Sequence, residues 1–261
     1  MTNQVHVLRM GHISMPQRWI KAGGSDDYAR IPVLAFLVAG DDHLTLIDTG
    51  CAPAVADDPR SAWGRLGELY HAEVAREDLL DAQVRAAGHR LEDVTDVVLT
   101  HLHMDHVGGL QLLDRPRIWL QRAEHRWGVS PDKHGSGGYF AHEYQLPDLD
   151  LHLLDGDAEV ADGVRCFLTA GHTPGHQSVL VQTPAGPVCV VGDAAYNRAL
   201  LHRRSAPALA WDVDRYMASL GHLATLEEFY GTRLLFSHDA EQEDALPPAH
   251  EPLADAARYP A

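Results

Sequence analysis

The sequence predicts an α/β protein (α+β in some schemes) in which layers of sheet are covered by helices, and three observations predict it. Short apolar, β-branched runs bounded by glycine, proline and aspartate recur along the 261 residues and read as strands. Two longer stretches carry apolar residues every three or four positions. These helical stretches fall singly between groups of strands, which suits sheet layers under helices better than an all-β sandwich.

The strand candidates are 5–10, 33–38, 44–48, 97–100, 118–120, 164–169, 178–183, 188–191 and 234–237. Turn chemistry separates them, as in "AGDD", "DGD", "ADG" and "TPAGP". A helix is expected over 77–87, with acids in its first turn and Gly88 as its stop. A second covers 212–230 and ends at Gly231, and a short third covers "RAEHRW" at 122–127. Residues 52–76 and 128–150 read as insertions or lids; the "GSGG" in the latter lacks the Gly-Lys-Ser/Thr of a phosphate loop. The proline-rich tail 246–261 reads as extended. With 45% hydrophobic residues the chain can build a large core, and we expect one domain over 1–261.

Charge narrows the partners. The chain carries 21 basic and 37 acidic residues, a net charge of -16, so it repels nucleic acid and anionic membranes. No basic segment leads into an apolar stretch at the N-terminus, and "IPVLAFLVAG" is too short to span a bilayer. A cytoplasmic location is the default expectation. Cys51, Cys166 and Cys189 are odd in number and scattered, which argues against a disulfide framework. Cys166 and Cys189 lie in apolar runs as small buried hydrophobes; Cys51 follows a turn and stays open.

The chemistry concentrates where strands end. "VVLTH" finishes at His101, "CFLTAGH" at His172, "VCVVGD" at Asp193 and "LLFSH" at His238. Ligands in layered α/β architectures gather at strand ends, where rigid elements deliver side chains to one edge. After the first of these comes "HLHMDHVGG", with His101, His103, Asp105 and His106 within six positions. One tight loop cannot aim all four at one ion, but it can divide them between two ions roughly 3.5–4 Å apart bridged by a carboxylate. The expected assignment places His101, His103 and His172 on the first metal and Asp105, His106 and His238 on the second, with Asp193 bridging. Imidazoles and carboxylates in this ratio suit zinc, cobalt, iron or manganese better than calcium or magnesium. The alternative is a set of ordinary loop histidines in a chain that has 18. His176, His12, His43, His71, His89, His125, His134, His142, His152, His202, His222 and His250 are read as supporting, surface or core histidines.

"HLHMDH", "GHTPGH", "GDA" and "SHD", in this order, resemble the metallo-β-lactamase superfamily over roughly residues 30–245. The resemblance implies an αββα sandwich with a dinuclear metal site at one sheet edge. It also implies that Asp48 of "LIDTG" supports the metal loop, the alternative being a turn-capping aspartate. Oxygen-reducing diiron members carry glutamate where this chain has His103, and the nearest true β-lactamases use a cysteine ligand that is absent here. Glyoxalase-type thioesterases share the ligands, but "DAEQEDALPP" after His238 offers no cation for an anionic thioester.

Within the superfamily the sequence most resembles N-acyl-homoserine-lactone lactonases, the quorum-quenching hydrolases, through "DGDAEVADGV", "GHTPGHQS", "SHDAEQE" and "GDAAYNRALL". In those enzymes a tyrosine at the place of Tyr196 contacts the substrate carbonyl region; otherwise Tyr196 is a packed tyrosine. The implied reaction is ring opening of a small neutral acyl lactone by a metal-bridging hydroxide. Tyr196 would stabilise the oxyanion and Asp105 would act as general acid toward the leaving alkoxide. Met104 is the expected substrate contact, with Met15, Trp19, Tyr139 and Phe140 as further candidates for an acyl groove. Other lactones, esters or thioesters are the alternative substrates, and a metal-binding protein without catalysis is the alternative class. A homodimer through 52–76 is a further expectation.

Overall fold

All nine runs read as strands form strands, and among the described residues three more join them. The protein is described here by a computed structural model covering residues 2–133 and 135–253; part of the expected extended tail, 254–261, and His134 lie outside the described residues. One sheet contains β1 (Gln4–Pro16), β2 (Tyr28–Ala39), β3 (Leu44–Ile47), β4 (His71–Glu73), β5 (Asp96–Val98), β6 (Arg117–Gln121) and β7 (Asp150–Leu154). The other contains β8 (Ala158–Ala161), β9 (Val164–Leu168), β10 (Gln177–Thr183), β11 (Gly186–Gly192) and β12 (Arg233–Phe236). Their orders are β4-β1-β2-β3-β5-β6-β7 and β12-β11-β10-β9-β8.

Alternation along each strand sorts its side chains between two cores, because successive residues point to opposite faces. Leu34, Phe36 and Val38 of β2 meet Cys166, Val179, Val190 and Leu235 between the sheets. Val33, Ala35 and Leu37 of the same strand face outward, toward Trp63, Leu80 and Val84 of the helices covering the first sheet. On the second sheet, Cys189, Val191, Leu234 and Phe236 face Tyr216, Leu220 and Leu223 of helix Val213–Tyr230. Three stacked cores make four layers, the αββα sandwich. Strands covered on both faces read as near-continuous apolar runs, which is why they were visible in the sequence.

Helix Val213–Tyr230 begins at an Asp212 cap, whose carboxylate accepts from the Arg215 N–H, and ends at Gly231 with φ 62°. The expected helix 77–87 is divided: a 3-10 turn at Arg76–Asp78 and a helix at Leu80–Ala86 are separated by extended Leu79. Asp78 turns back to accept from the Ala75 N–H, spending the carboxylate on a local turn. The 52–76 stretch holds helices Pro53–Asp57, Pro59–Trp63 and Leu66–Leu69 as well as β4. Helix Ala141–Tyr144 lies within 128–150. The tail is tied down as far as it is described: Leu253 donates to Val5, and Arg9 donates to the Pro247 carbonyl. All three cysteines are free and buried. Among the described residues no helix is long and apolar enough to cross a membrane.

Direction matters most for the site. In the first sheet β3, β5, β6 and β7 are mutually parallel. In the second, β9 and β11 both run antiparallel to β10, and β12 is parallel to β11. The segments leaving β3, β5, β9, β11 and β12 therefore converge at one edge of the sandwich.

Candidate metal centre

That edge brings every expected metal-binding residue together. His101, His103, His172 and Asp193 form one group of donor atoms, and Asp105, His106 and His238 form the other. His101 Nε2 and His172 Nε2 each lie 3.0 Å from His103 Nδ1. Ligands about 2.0–2.1 Å from a tetrahedral ion stand about 3.3 Å apart, so three converging ring nitrogens at this spacing outline one face of a coordination shell. Asp193 divides its oxygens between the groups. Its Oδ2 is 3.3 Å from His172 Nε2, while its Oδ1 is 3.4 Å from His106 Nε2 and 3.0 Å from His238 Nε2. Asp105 Oδ2 approaches His106 and His238 at 3.6 and 3.7 Å.

The donors fit metal ions on the chain's own evidence. His106 Nε2, His238 Nε2 and Asp193 Oδ1 are buried without a hydrogen bond, since their short separations lack hydrogen-bonding angles. Buried polar atoms are ordinarily paired. Here their lone pairs point at shared positions instead, an arrangement made whole by cations.

The opposite ring nitrogens are pinned. His106 Nδ1 donates to Asp48 Oδ2 at 2.8 Å, and His238 Nδ1 donates to the Pro32 carbonyl at 2.7 Å. Thr100 donates its hydroxyl to Asp48 Oδ2, which leaves its oxygen to accept from His101 Nδ1 at 3.0 Å. Each contact fixes a tautomer with its Nε2 lone pair turned inward. Asp48 thus has the supporting role implied by the resemblance. It holds a left-handed backbone, φ 62°, and also accepts from the Thr100 N–H.

Charge follows position. Burial, assisted by neighbouring rings, drives His101 and His172 far below the ordinary imidazole value, and burial takes His103 down to about 4. Burial also opposes protonation of His106, but Asp105, Asp48 and Asp193 outweigh it and hold that ring well above its usual value. Asp193 is buried, yet His238, His106 and His172 hold it strongly ionised. Metal ions would take the place of the protons on His106 and His238.

Two glycines of the motifs are required by contact. A Cβ on Gly108 would fall 1.9 Å from Ala52 N, so "HVGG" lets the metal loop lie against the chain leaving β3. A Cβ on Gly192 would meet His176 Nε2 at 2.8 Å. That nitrogen accepts from the Asp193 N–H at 2.9 Å, so His176 supports Asp193 and is not one of the converging donors.

Sequence reasoning missed Glu124, which is fully buried behind the site. It accepts from the Leu102 and Gly175 amides and from the Tyr139 hydroxyl, joining both histidine loops to the 128–150 segment. Burial raises its carboxyl, against the pull of these hydrogen bonds. A lone glutamate in "RAEHRW" carries no spacing signal to reveal this.

The metal-binding edge opens into a cavity of about 530 Å³. Met104, Asp105, Asp193 and Tyr196 lie at its floor, and Met15, Trp19, Leu66 and Tyr70 form one wall. Tyr139 also lines it, but Phe140 packs against the core instead, because Tyr139 turns inward to reach Glu124. Tyr196 stacks at an angle against His238, with ring centroids 5.3 Å apart. Burial and the nearby Asp193 push its hydroxyl well above the usual range, so it stays a proton donor.

Known proteins agree with this geometry. The family pattern of the metallo-beta-lactamase superfamily matches residues 29–238. The chain is 34% identical over 248 residues to the N-acyl homoserine lactonase AttM of Azorhizobium caulinodans, covering 91% of this chain and 94% of that protein. It is 29% identical over 215 residues to an N-acyl homoserine lactonase of a Bacillus species, covering 82% and 83%. The solved structure of an N-acyl homoserine lactone hydrolase with N-hexanoyl-L-homoserine at its catalytic metal centre superposes with a TM-score of 0.87. That superposition covers 97% of this chain and 100% of the other at 24% identity, a likeness of fold. Strand order, the edge at which the donors meet and the family match agree: the chain belongs to the metallo-β-lactamase superfamily.

Proposed function

We propose that the protein is a metal-dependent hydrolase that opens the lactone ring of N-acyl homoserine lactones, with Tyr196 and Asp105 as its catalytic side chains. The observation that carries this reading is a largely apolar cavity whose floor is a two-ion donor set with a protonated tyrosine beside it. Relatives named N-acyl homoserine lactonase along nearly the whole chain support it.

Two divalent ions, when bound, supply a water ionised near neutral pH and electrophilic pull on a carbonyl. His101, His103 and His172 would hold one; His106, His238 and Asp105 the other; Asp193 would hold both. Zinc suits this set best, with cobalt, iron or manganese as alternatives. The chain's own groups do the rest. Tyr196 donates its hydroxyl proton in a hydrogen bond to the lactone carbonyl oxygen as negative charge develops there. The Asp105 carboxylate takes the proton released by the attacking water and returns it to the ring oxygen as that oxygen leaves. Met104, on the cavity floor between His103 and Asp105, packs against the lactone, and the Met15–Trp19–Leu66 wall takes the acyl chain out of water. A neutral substrate loses nothing by approaching a protein of charge -16.

The two sheets share the core between them, which supports one domain throughout; a homodimer through 52–76 belongs to the same reading. The test is hydrolysis of a panel at neutral pH with metal content measured on the same sample. Opening of acyl-homoserine lactones, lost on chelation and restored by zinc, cobalt or manganese, is the expected result. Activity confined to simple esters or S-lactoylglutathione would overturn the substrate, and two bound metals without turnover would overturn catalysis.

A further inference from the structure

The cavity has two unlike walls. Besides the apolar Met15–Trp19–Leu66 side, the lining includes Trp127, Lys133, Leu209 and Trp211. Among the described residues Lys133 is the one lysine or arginine lining the cavity, and it is one of only two lysines in the chain. Its ammonium sits 3.9 Å from the centroid of the Trp127 ring, and Trp127 meets Trp211 edge-on at 6.2 Å. Among the described residues no carboxylate pairs with Lys133, whereas Arg122 at the start of the same helix–loop segment pairs with Asp155. The strand of loop that carries it is braced on the metal loop: Gly135 N–H donates to the Tyr139 carbonyl, and Met104 N–H donates to that of Gly138.

Resting on the lactonase reading, we propose that this wall recognises an anionic group on the acyl chain, so that the preferred substrates are homoserine lactones whose acyl chain ends in a carboxylate. An ammonium offers three donors, and an aromatic face satisfies only one direction of its charge. Lys133 lines the cavity, and among the described residues no protein acceptor takes its remaining N–H groups. A purely alkyl chain reaching this wall strips their water and returns nothing, which is costly for a charged group. A chain-terminal carboxylate replaces that water with charge-assisted hydrogen bonds. Lys133 therefore attracts one kind of chain and disfavours the other, and selectivity arises from both halves. The Asp105 and Asp193 carboxylates do not compete for it, because each is committed to the histidines of the metal centre.

The test compares acyl-homoserine lactones in matched pairs of equal chain length, one alkyl and one ω-carboxyl, across a length series. The holoenzyme is compared with Lys133→Met and Lys133→Arg. At the length that reaches Lys133 the wild type should favour the carboxylate chain at least tenfold in kcat/KM. Lys133→Met should lose that preference while opening alkyl chains as well or better, and Lys133→Arg should retain it. Binding of the matching hydrolysis-resistant lactam, followed by tryptophan fluorescence, should show the same order and weaken with salt. Alkyl lactones opened with no carboxylate preference at any length, or a preference unchanged in Lys133→Met, would overturn the inference and leave the lactonase reading standing. No opening of any homoserine lactone would overturn both.

Discussion

His106 and Asp48 lie 58 positions apart and are joined by a 2.8 Å hydrogen bond from the imidazole Nδ1 to the carboxylate Oδ2, both groups fully buried. The bond fixes which nitrogen of His106 faces the metal centre. Asp48→Asn keeps the size and tolerates the left-handed backbone that Asp48 adopts, so the chain should fold normally. Its amide can face His106 Nδ1 with the wrong group, however, and affinity for the second ion should fall about 10–100-fold. Competition against a fluorescent chelator measures this; unchanged affinity would show that Asp48 serves only the backbone of Thr100.

Tyr196 makes no hydrogen bond to protein among the described residues, and its ring is packed against His172 and His238. Tyr196→Phe therefore removes a donor without opening a cavity. Turnover should drop about 10²–10³-fold, as for loss of one oxyanion donor, with little change in KM or metal content. Full turnover would remove the tyrosine from the mechanism.

Asp105 and Asp193 can be separated by counting ions. Asp105→Asn should retain the histidine trio and Asp193 and so bind close to one ion per chain, with hydrolysis nearly abolished. Asp193→Asn, which removes the shared carboxylate, should weaken both positions. Elemental analysis after dialysis distinguishes the two, and equal stoichiometry in both variants would contradict the division of donors.

Glu143, which is not one of the donors, supplies a pH dependence of its own. Both its oxygens are buried without hydrogen bonds, and burial pushes its carboxyl up to about 8, with the Asp105 charge adding and the Trp63 indole opposing. A carboxyl raised in the folded state favours folding below its ordinary value near 4.5 and loses that contribution as pH rises toward 8. The slope is at most about 1.4 kcal/mol per pH unit. Glu143→Gln should remove it. Denaturation midpoints of both metal-free proteins from pH 5 to 8.5 should diverge in favour of the variant as pH rises, and parallel curves would show that Glu143 is already ionised at pH 5.

The sequence by itself determined nine of the twelve strands described, the two-sided burial that groups them into layers, and the seven residues that meet at the sheet edge. It could do so because alternation and strand-end placement are local rules, written within ten residues of each donor. Tertiary structure decided what those rules do not reach. Glu124 clamps two loops from a third, and Lys133 faces the cavity only because its loop folds back on His103. Helix 77–87 was divided by a carboxylate that served a turn instead of a helix end. The three short strands β4, β7 and β8 were missed because their pairing partners, not their own composition, hold them extended. Contacts between segments distant in sequence leave no periodicity to read, so the donors were legible and the residues that support them and select the substrate were not.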